Sequence, residues 1–105
     1  MLVEMRTYTV KPLRTADFLH LYEHAALPLQ IKYLGHLIGF FVSEVGPMNQ
    51  VVHLWGFESL AERESRRKKM EADTGWALYC DALRELDVIV LQETKMLRSV
   101  SFSPV

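Results

Sequence analysis

The chain has 105 residues, of which half are apolar and 24% are charged, and this composition is typical of one globular domain. Twelve Lys and Arg side chains against thirteen Asp and Glu give a net charge of −1, so the charge balance predicts neither nucleic acid nor an anionic membrane as a partner. The single cysteine, Cys80, excludes an internal disulfide and suits a reducing compartment. No signal peptide pattern and no membrane-length apolar run is visible, so we expect one cytoplasmic domain over residues 1–105.

The first third of the chain predicts a strand followed by an interrupted helix. Residues 2–10 alternate in character and are rich in residues that favour strands, and Lys11-Pro12 ends the segment. Residues 14–35 instead repeat apolar positions every three or four residues, which is helical spacing. Pro28 lies inside this helix, and we expect a kink there with Pro28 in the first turn of a second piece. Gly35 stands where a glycine commonly ends a helix.

Two apolar runs in the middle of the chain predict a β-hairpin. The runs are residues 38–45 and 50–57, and the turn-forming sequence Gly46-Pro47-Met48-Asn49 joins them. A four-residue loop between Val45 and Gln50 would place Val42 opposite His53 and Phe40 opposite Trp55.

The last third of the chain predicts helical segments and a final strand. Ser59 followed by Glu62 forms a capping box that opens a helix ending near residue 72. Asp73-Thr74-Gly75 interrupts it, and a short helix carrying Trp76, Tyr79, Cys80 and Leu83 follows. Residues 88–97 read as the closing strand.

The order strand, helix, strand, strand, helix, strand predicts a ferredoxin-like α+β fold. Right-handed crossovers on this order give a four-stranded antiparallel sheet with helices on one face and the first and third strands in the centre. Nothing in the chain would cover the other face of the sheet. We therefore expect a second copy to cover it, which predicts a homodimer.

The predicted hairpin register gathers polar and aromatic residues on one side of the sheet. That face holds Phe40, Val42, Glu44, Val51, His53 and Trp55. On the first strand, we expect Val3 and Met5 to turn toward the helices, and Glu4, Arg6 and Tyr8 to turn away from them. If a second copy closes over this face, His53 and Trp55 line an enclosed cavity. The alternative is a purely structural His53–Trp55 pair, with Glu4 and Arg6 forming an interface salt bridge.

Three further features have structural interpretations. The pattern His20-x-x-Glu23-His24 matches the spacing of inverted zinc peptidases, but the chain is too small for such an active site, and we expect a solvated helix face and no metal. The charged run Glu62–Lys69 predicts a solvated face, with phosphate binding by Arg66, Arg67, Lys68 and Lys69 as the alternative. Cys80 is expected to be a small core residue.

The chain resembles the NIPSNAP family. The resemblance rests on Glu4–Thr9, Gly39–Phe41, Glu44–Trp55 and Phe102–Pro104, and it covers nearly the whole chain. It implies a dimeric α/β-barrel, in which two ferredoxin-like domains pack their sheets face to face. The wider superfamily includes cofactor-free monooxygenases, haem-degrading enzymes and small dehydratases or isomerases. Larger eukaryotic members carry mitochondrial targeting segments; none is visible in this sequence, and we expect none.

These features together predict a homodimer that binds a small anionic or aromatic metabolite in the barrel cavity, as a cofactor-free monooxygenase or isomerase-like enzyme. Arg6 would hold an anionic group, Trp55 would stack on a ring, and His53 would exchange a proton as the catalytic residue. Tyr8 and Glu44 would orient the substrate or tune His53. The residues themselves predict no cofactor. The alternative is a non-catalytic protein-interaction module that presents its charged helix to a partner.

Overall fold

A four-stranded antiparallel sheet carries all the helices on one face. The computed structural model describes all 105 residues. The strands are β1 (Leu2–Val10), β2 (Leu37–Val42), β3 (Gln50–Phe57) and β4 (Ile89–Arg98), in the spatial order β2-β3-β1-β4. The first and third strands are central, so the predicted ferredoxin-like architecture is confirmed. No helix is both long and apolar enough to cross a membrane.

The first crossover consists of two α-helices joined by a π-helical turn. Helix α1 is Thr15–Leu21, the π-turn is Tyr22–Ala26, and α2 is Leu27–Tyr33. Pro28 lies in the first turn of α2, as predicted, because a proline has no N–H to donate to the preceding turn. The backbone N–H of Leu27 bonds to the carbonyl of Tyr22, five residues earlier, and this widened turn accommodates the interruption.

The second crossover contains two capped helices, α3 (Leu60–Glu71) and α4 (Thr74–Leu86). The Ser59 hydroxyl accepts from the Glu62 N–H at 3.1 Å, which confirms the predicted cap. At the start of α4, the Asp73 carboxylate accepts from the Gly75 N–H at 2.8 Å. The residues predicted to break the helix therefore also begin the next one.

The β2–β3 hairpin differs from the predicted register by two residues. Phe40 lies opposite His53 and Val42 lies opposite Val51, so β2 ends three residues earlier than expected. The N–H of Ser43 bonds to the carbonyl of Gln50 at 2.9 Å, which closes a seven-residue loop over residues 43–49. Since side chains alternate with a period of two, the shift preserves which hairpin residues share a face.

The predicted orientation of that face is wrong. Glu4, His53 and Trp55 are fully buried beneath the helices, whereas Val3 and Met5 lie on the opposite side of the sheet. Alternation along a strand identifies two faces but does not say which one the helices cover. An arginine of α3 supplies the counter-charge that lets Glu4 enter the interior, so the mixed-polarity face becomes the buried one.

The buried residues form two apolar clusters on the helix side. The larger cluster contains Tyr8, Val10, Phe18, Tyr22, Ala26, Val51, Tyr79 and Val88. The smaller cluster contains Leu34, Trp55, Phe57 and Met70. Trp55 therefore packs between the sheet and helices α2 and α3, rather than at an interface with a second copy.

Replacing Trp55 by alanine should destabilise the protein by about 3–5 kcal/mol, because a large buried ring is lost and leaves a cavity. The exposed residue Lys69 provides a control, and Lys69→Ala should stay within about 0.5 kcal/mol of the parent chain. Denaturant unfolding measures both free energies. Equal losses in the two variants would contradict the position of Trp55.

Candidate functional site

A buried ion network joins the centre of β1 to helix α3. The Glu4 carboxylate accepts from Arg63 Nη2 at 2.7 Å and Nε at 3.1 Å, and from Arg6 Nη1 at 3.1 Å. Arg6 also donates to the Tyr8 hydroxyl from Nε at 3.1 Å and from Nη2 at 3.0 Å. Burial alone would raise the pKa of Glu4, but the hydrogen bonds and charges of Arg63 and Arg6 outweigh it and hold the pKa below its ordinary value.

His53 lies beside this network. One nitrogen of its ring has a hydrogen-bond partner and the other has none. The Trp55 Nε1–H donates to His53 Nδ1 at 2.8 Å. An indole nitrogen can only donate, so Nδ1 is the acceptor and the proton of the neutral imidazole resides on Nε2. His53 Nε2 is buried and has no hydrogen-bond partner. Burial, and then the charge of Arg6, lowers the pKa of His53 to about 3 against an opposing effect of Glu4, so the ring is uncharged near pH 7.

Three aromatic rings surround the His53 imidazole. Phe40 stacks on it with ring centroids 4.5 Å apart, and Tyr8 and Tyr22 meet it edge-on at 5.2 and 5.4 Å. The Tyr22 hydroxyl donates to the Gln30 side-chain oxygen, which lies on α2. Burial is the main cause that raises the pKa of Tyr22 far above its ordinary value. The imidazole therefore lies in an uncharged aromatic enclosure with a single unused donor.

Two of these rings, those of Tyr22 and Phe40, also line an open, mostly apolar cleft. Its volume is about 530 Å³, which is within the range of small-molecule pockets. It is lined by Ala16, Leu19, His20, Tyr22, Glu23, Leu27, Leu37 and Phe40. These residues come from α1, the π-turn, the start of α2 and strand β2. Tyr22 and Phe40 therefore both line the cleft and contact the His53 imidazole.

The structure brings together four of the five predicted site residues. Arg6, Tyr8, His53 and Trp55 are linked by hydrogen bonds or ring contacts. Glu44 lies apart, because it is exposed in the loop that follows the shortened β2 strand. The roles assigned to these side chains remain predictions.

Sequence reasoning missed several residues that complete this region, namely Tyr22, Gln30, Phe40 as a ring that covers His53, and Arg63. Arg63 belongs to the charged run for which a solvated face was expected, and for this residue the expectation is wrong. A signal was present in the spacing: Arg63, Arg67 and Met70 recur at helical intervals and form the inner side of α3.

The imidazole rings of His20 and His24 lie close together, with their centroids 4.3 Å apart. His24 Nδ1 lies 2.8 Å from the carbonyl oxygen of His20. No group of three metal-ligating side chains in the chain is arranged to hold a metal ion. His20 and Glu23 instead contribute the polar part of the cleft lining.

Comparison with known sequences identifies one family. A sequence model of the NIPSNAP family matches residues 3–104 of this chain. Protein NipSnap homolog 3B of Mus musculus is 32% identical over 74 residues, and protein NipSnap homolog 3A of Homo sapiens is 34% identical over 74 residues. In both cases the match covers 70% of this chain and 29% of the relative. The chain therefore spans less than a third of the length of the curated relatives that it matches.

Solved structures extend the similarity over the whole chain. A NIPSNAP family protein of unknown function from Agrobacterium tumefaciens is 38% identical, with a TM-score of 0.90 over 99% of this chain and 92% of that one. A protein from Deinococcus radiodurans that is assigned as an antibiotic biosynthesis monooxygenase has a TM-score of 0.64 over 100% of this chain and 98% of that one. It is only 17% identical, so it shares the fold.

The burial of His53 predicts a specific dependence of stability on pH. The folded pKa of about 3 lies below the ordinary value of 6.5, so below pH 6.5 the unfolded chain binds a proton that the folded chain does not. The contribution of His53 to stability should therefore fall as the pH drops from 6.5 toward 3, by at most about 1.4 kcal/mol per pH unit.

Denaturant unfolding of His53→Gln and the parent chain at pH 7, 6, 5 and 4.5 tests this dependence. The substitution should remove the contribution of His53 to the slope of the unfolding free energy against pH. His24→Gln, at an exposed position on the first crossover, should keep the parent slope. Parallel curves for His53→Gln and the parent chain would contradict the buried neutral imidazole.

Proposed function

The chain belongs to the NIPSNAP family, and we propose that it is a homodimer that binds a small neutral aromatic molecule in the cleft between the first crossover and β2. The observation that carries this proposal is the buried Nε2–H of His53, which has no partner and belongs to a ring that contacts two side chains of the cleft wall. Buried donors are rarely left unpaired in folded proteins. A ligand oxygen that reached this donor would satisfy it.

The cleft favours a neutral ligand over an anionic one. It contains no Lys or Arg side chain, and its polar members are His20 and Glu23. Arg6, the predicted anion binder, already donates to Glu4 and Tyr8. An aromatic ligand with a carbonyl or hydroxyl oxygen therefore fits the lining better than a carboxylate.

The expected contact requires Phe40 to change its side-chain rotamer. Phe40 stacks on the imidazole and also lines the cleft, and it is only partly buried. Rotation of this one ring would join the cleft to His53 Nε2. A ligand ring in the cleft could replace the stacking that Phe40 gives up, so the cost of the movement would be partly offset.

His53 would act as a hydrogen-bond donor in this site. Because its pKa of about 3 keeps it neutral near pH 7, it is a poor proton acceptor there, which differs from the proton exchange predicted from the sequence. A neutral imidazole N–H can stabilise negative charge that develops on a ligand oxygen. If the protein turns a substrate over without a cofactor, this donor is the group that would stabilise the charged intermediate.

The homodimer is supported by the composition of the uncovered face of the sheet. None of the helices lies on this face. Its apolar members are Val3, Met5, Phe41, Val52, Leu54, Leu91 and Leu97. Phe41 and Leu91 are at least half exposed, so burial against a second copy would remove apolar side chains from water, and Glu93 and Lys95 of β4 supply the polar part of the same face.

A matched pair of ligands tests the cleft and the role of His53. 1-Tetralone and tetralin share their ring system, but only the ketone carries an oxygen acceptor. We expect the ketone to bind the parent chain roughly tenfold more tightly, because one buried hydrogen bond contributes about 1–1.5 kcal/mol. Isothermal titration calorimetry measures both affinities.

Variants of His53 test whether it acts as a hydrogen-bond donor or by exchanging a proton. His53→Phe should lose the preference for the ketone, whereas His53→Gln, which can accept from Trp55 and still donate, should retain it. Glu44→Gln, in the exposed loop, serves as the control. If neither ligand binds, or if the preference survives His53→Phe, the cleft proposal fails and the interaction-module alternative gains support.

The dimer is tested by a charge on the uncovered face. Leu54→Asp, in the centre of the sheet, should convert a dimer to a monomer, because a carboxylate would have to be buried without a partner. Leu78→Asp, at an exposed position on α4, should leave the dimer intact. Sedimentation equilibrium at micromolar concentration gives the masses, and a monomeric parent chain would refute the homodimer.

A further inference from the structure

The inner side of helix α3 carries an arginine that lacks a complete set of partners. The Arg67 side chain is only 16% exposed, and its Nη2 reaches Glu71 at the long distance of 3.4 Å. Its Nη1 is buried and has no hydrogen-bond partner. The neighbouring arginines differ: Arg63 binds Glu4 and Glu64, and Arg66 binds Glu62 and the carbonyl of Tyr33.

An unpaired, buried guanidinium nitrogen is unfavourable, because it has lost water and gained no acceptor. Of the two carboxylates that line the space beside it, Glu71 reaches only Nη2, and Glu64 pairs with Arg63 instead. The planar guanidinium presents its donors as a fork that matches two oxygens of a carboxylate or phosphate group. An oxyanion is therefore the chemical group that would supply the missing hydrogen-bond acceptor of Arg67.

The space beside Arg67 can admit such a group. An open groove of about 490 Å³ runs along α3 and is lined by Glu64, Ser65, Arg67, Lys68 and Glu71. Lys68 adds a second positive charge and Ser65 a hydroxyl donor. Gln92 and Thr94 of β4 lie on the helix side of the sheet, opposite Tyr8 and Arg6. Both are exposed, so the helices do not cover this edge of the sheet.

The fully buried acidic charge of this region, Glu4, is already paired with Arg6 and Arg63. Arg6 and Arg67 both act on Tyr22, whose pKa each of them lowers against the larger effect of burial, so both guanidinium groups approach the same part of the interior. Arg63 lies on the same side of α3. Glu4 is the one fully buried carboxylate. Glu64 and Glu71 are 68% and 52% exposed, and water screens their charges.

We propose that Arg67, supported by Lys68 and Ser65, binds the carboxylate or phosphate group of a small molecule in the groove beside α3. This site is separate from the cleft at β2, which is lined by none of the same residues. It does not depend on the function proposed for that cleft.

Titration with sodium phosphate and with sodium acetate, at constant ionic strength and pH 7, tests the site. The probes are the anions themselves, and the two arms distinguish a phosphate site from a carboxylate site. We expect at least one of them to raise the unfolding midpoint of the parent chain in a saturable manner. Arg67→Met should weaken the apparent affinity at least tenfold.

Two further variants make the result decisive. Arg84→Met removes an exposed arginine that pairs with Asp81 on α4, and it should keep the full response. Arg67→Lys keeps the charge without the fork, and it should bind more weakly than the parent chain even if Arg67→Met does not fold. The proposal is overturned if neither anion stabilises the parent chain, or if Arg67→Lys and Arg84→Met respond as the parent chain does.

Discussion

The arrangement of the whole domain depends on one buried carboxylate. Glu4 lies in the centre of the sheet without exposure to water, and two arginines from different elements neutralise it. Arg6 approaches along its own strand, and Arg63 reaches it from α3, so the network ties the helix layer to the sheet. Removing one partner of such a pair typically costs about 3–5 kcal/mol, because an uncompensated charge stays buried. This constraint makes the polar face of the sheet the inner one.

The polar interior that results is incompletely satisfied at two positions. His53 Nε2 and Arg67 Nη1 are buried without a hydrogen-bond partner. All other described buried side-chain polar atoms have partners or some contact with solvent. Unpaired buried donors are uncommon in folded proteins, and both binding proposals rest on them.

The π-turn shapes the surroundings of His53. Pro28 prevents a continuous α-helix, and the widened turn at Tyr22–Ala26 places Tyr22 in the core. There Tyr22 contacts Phe40 and His53 and hydrogen-bonds to Gln30. Such turns are frequent at functional sites, because they reposition a side chain that regular helix geometry would direct elsewhere.

The residue pattern alone predicts the element order, the capping of α3, the restart at Pro28 and the central positions of β1 and β3, since these follow from local periodicity and from residues with restricted backbone angles. It also identified four side chains of the buried site, because residues with the same parity on paired strands share a face. Which face of the sheet the helices cover depends instead on contacts between distant parts of the chain. Alternation is symmetric between the two faces, and the deciding contact joins Glu4 to Arg63, fifty-nine residues apart. The free donor of His53 likewise depends on the Trp55 contact and on rings from other elements, which no local pattern specifies.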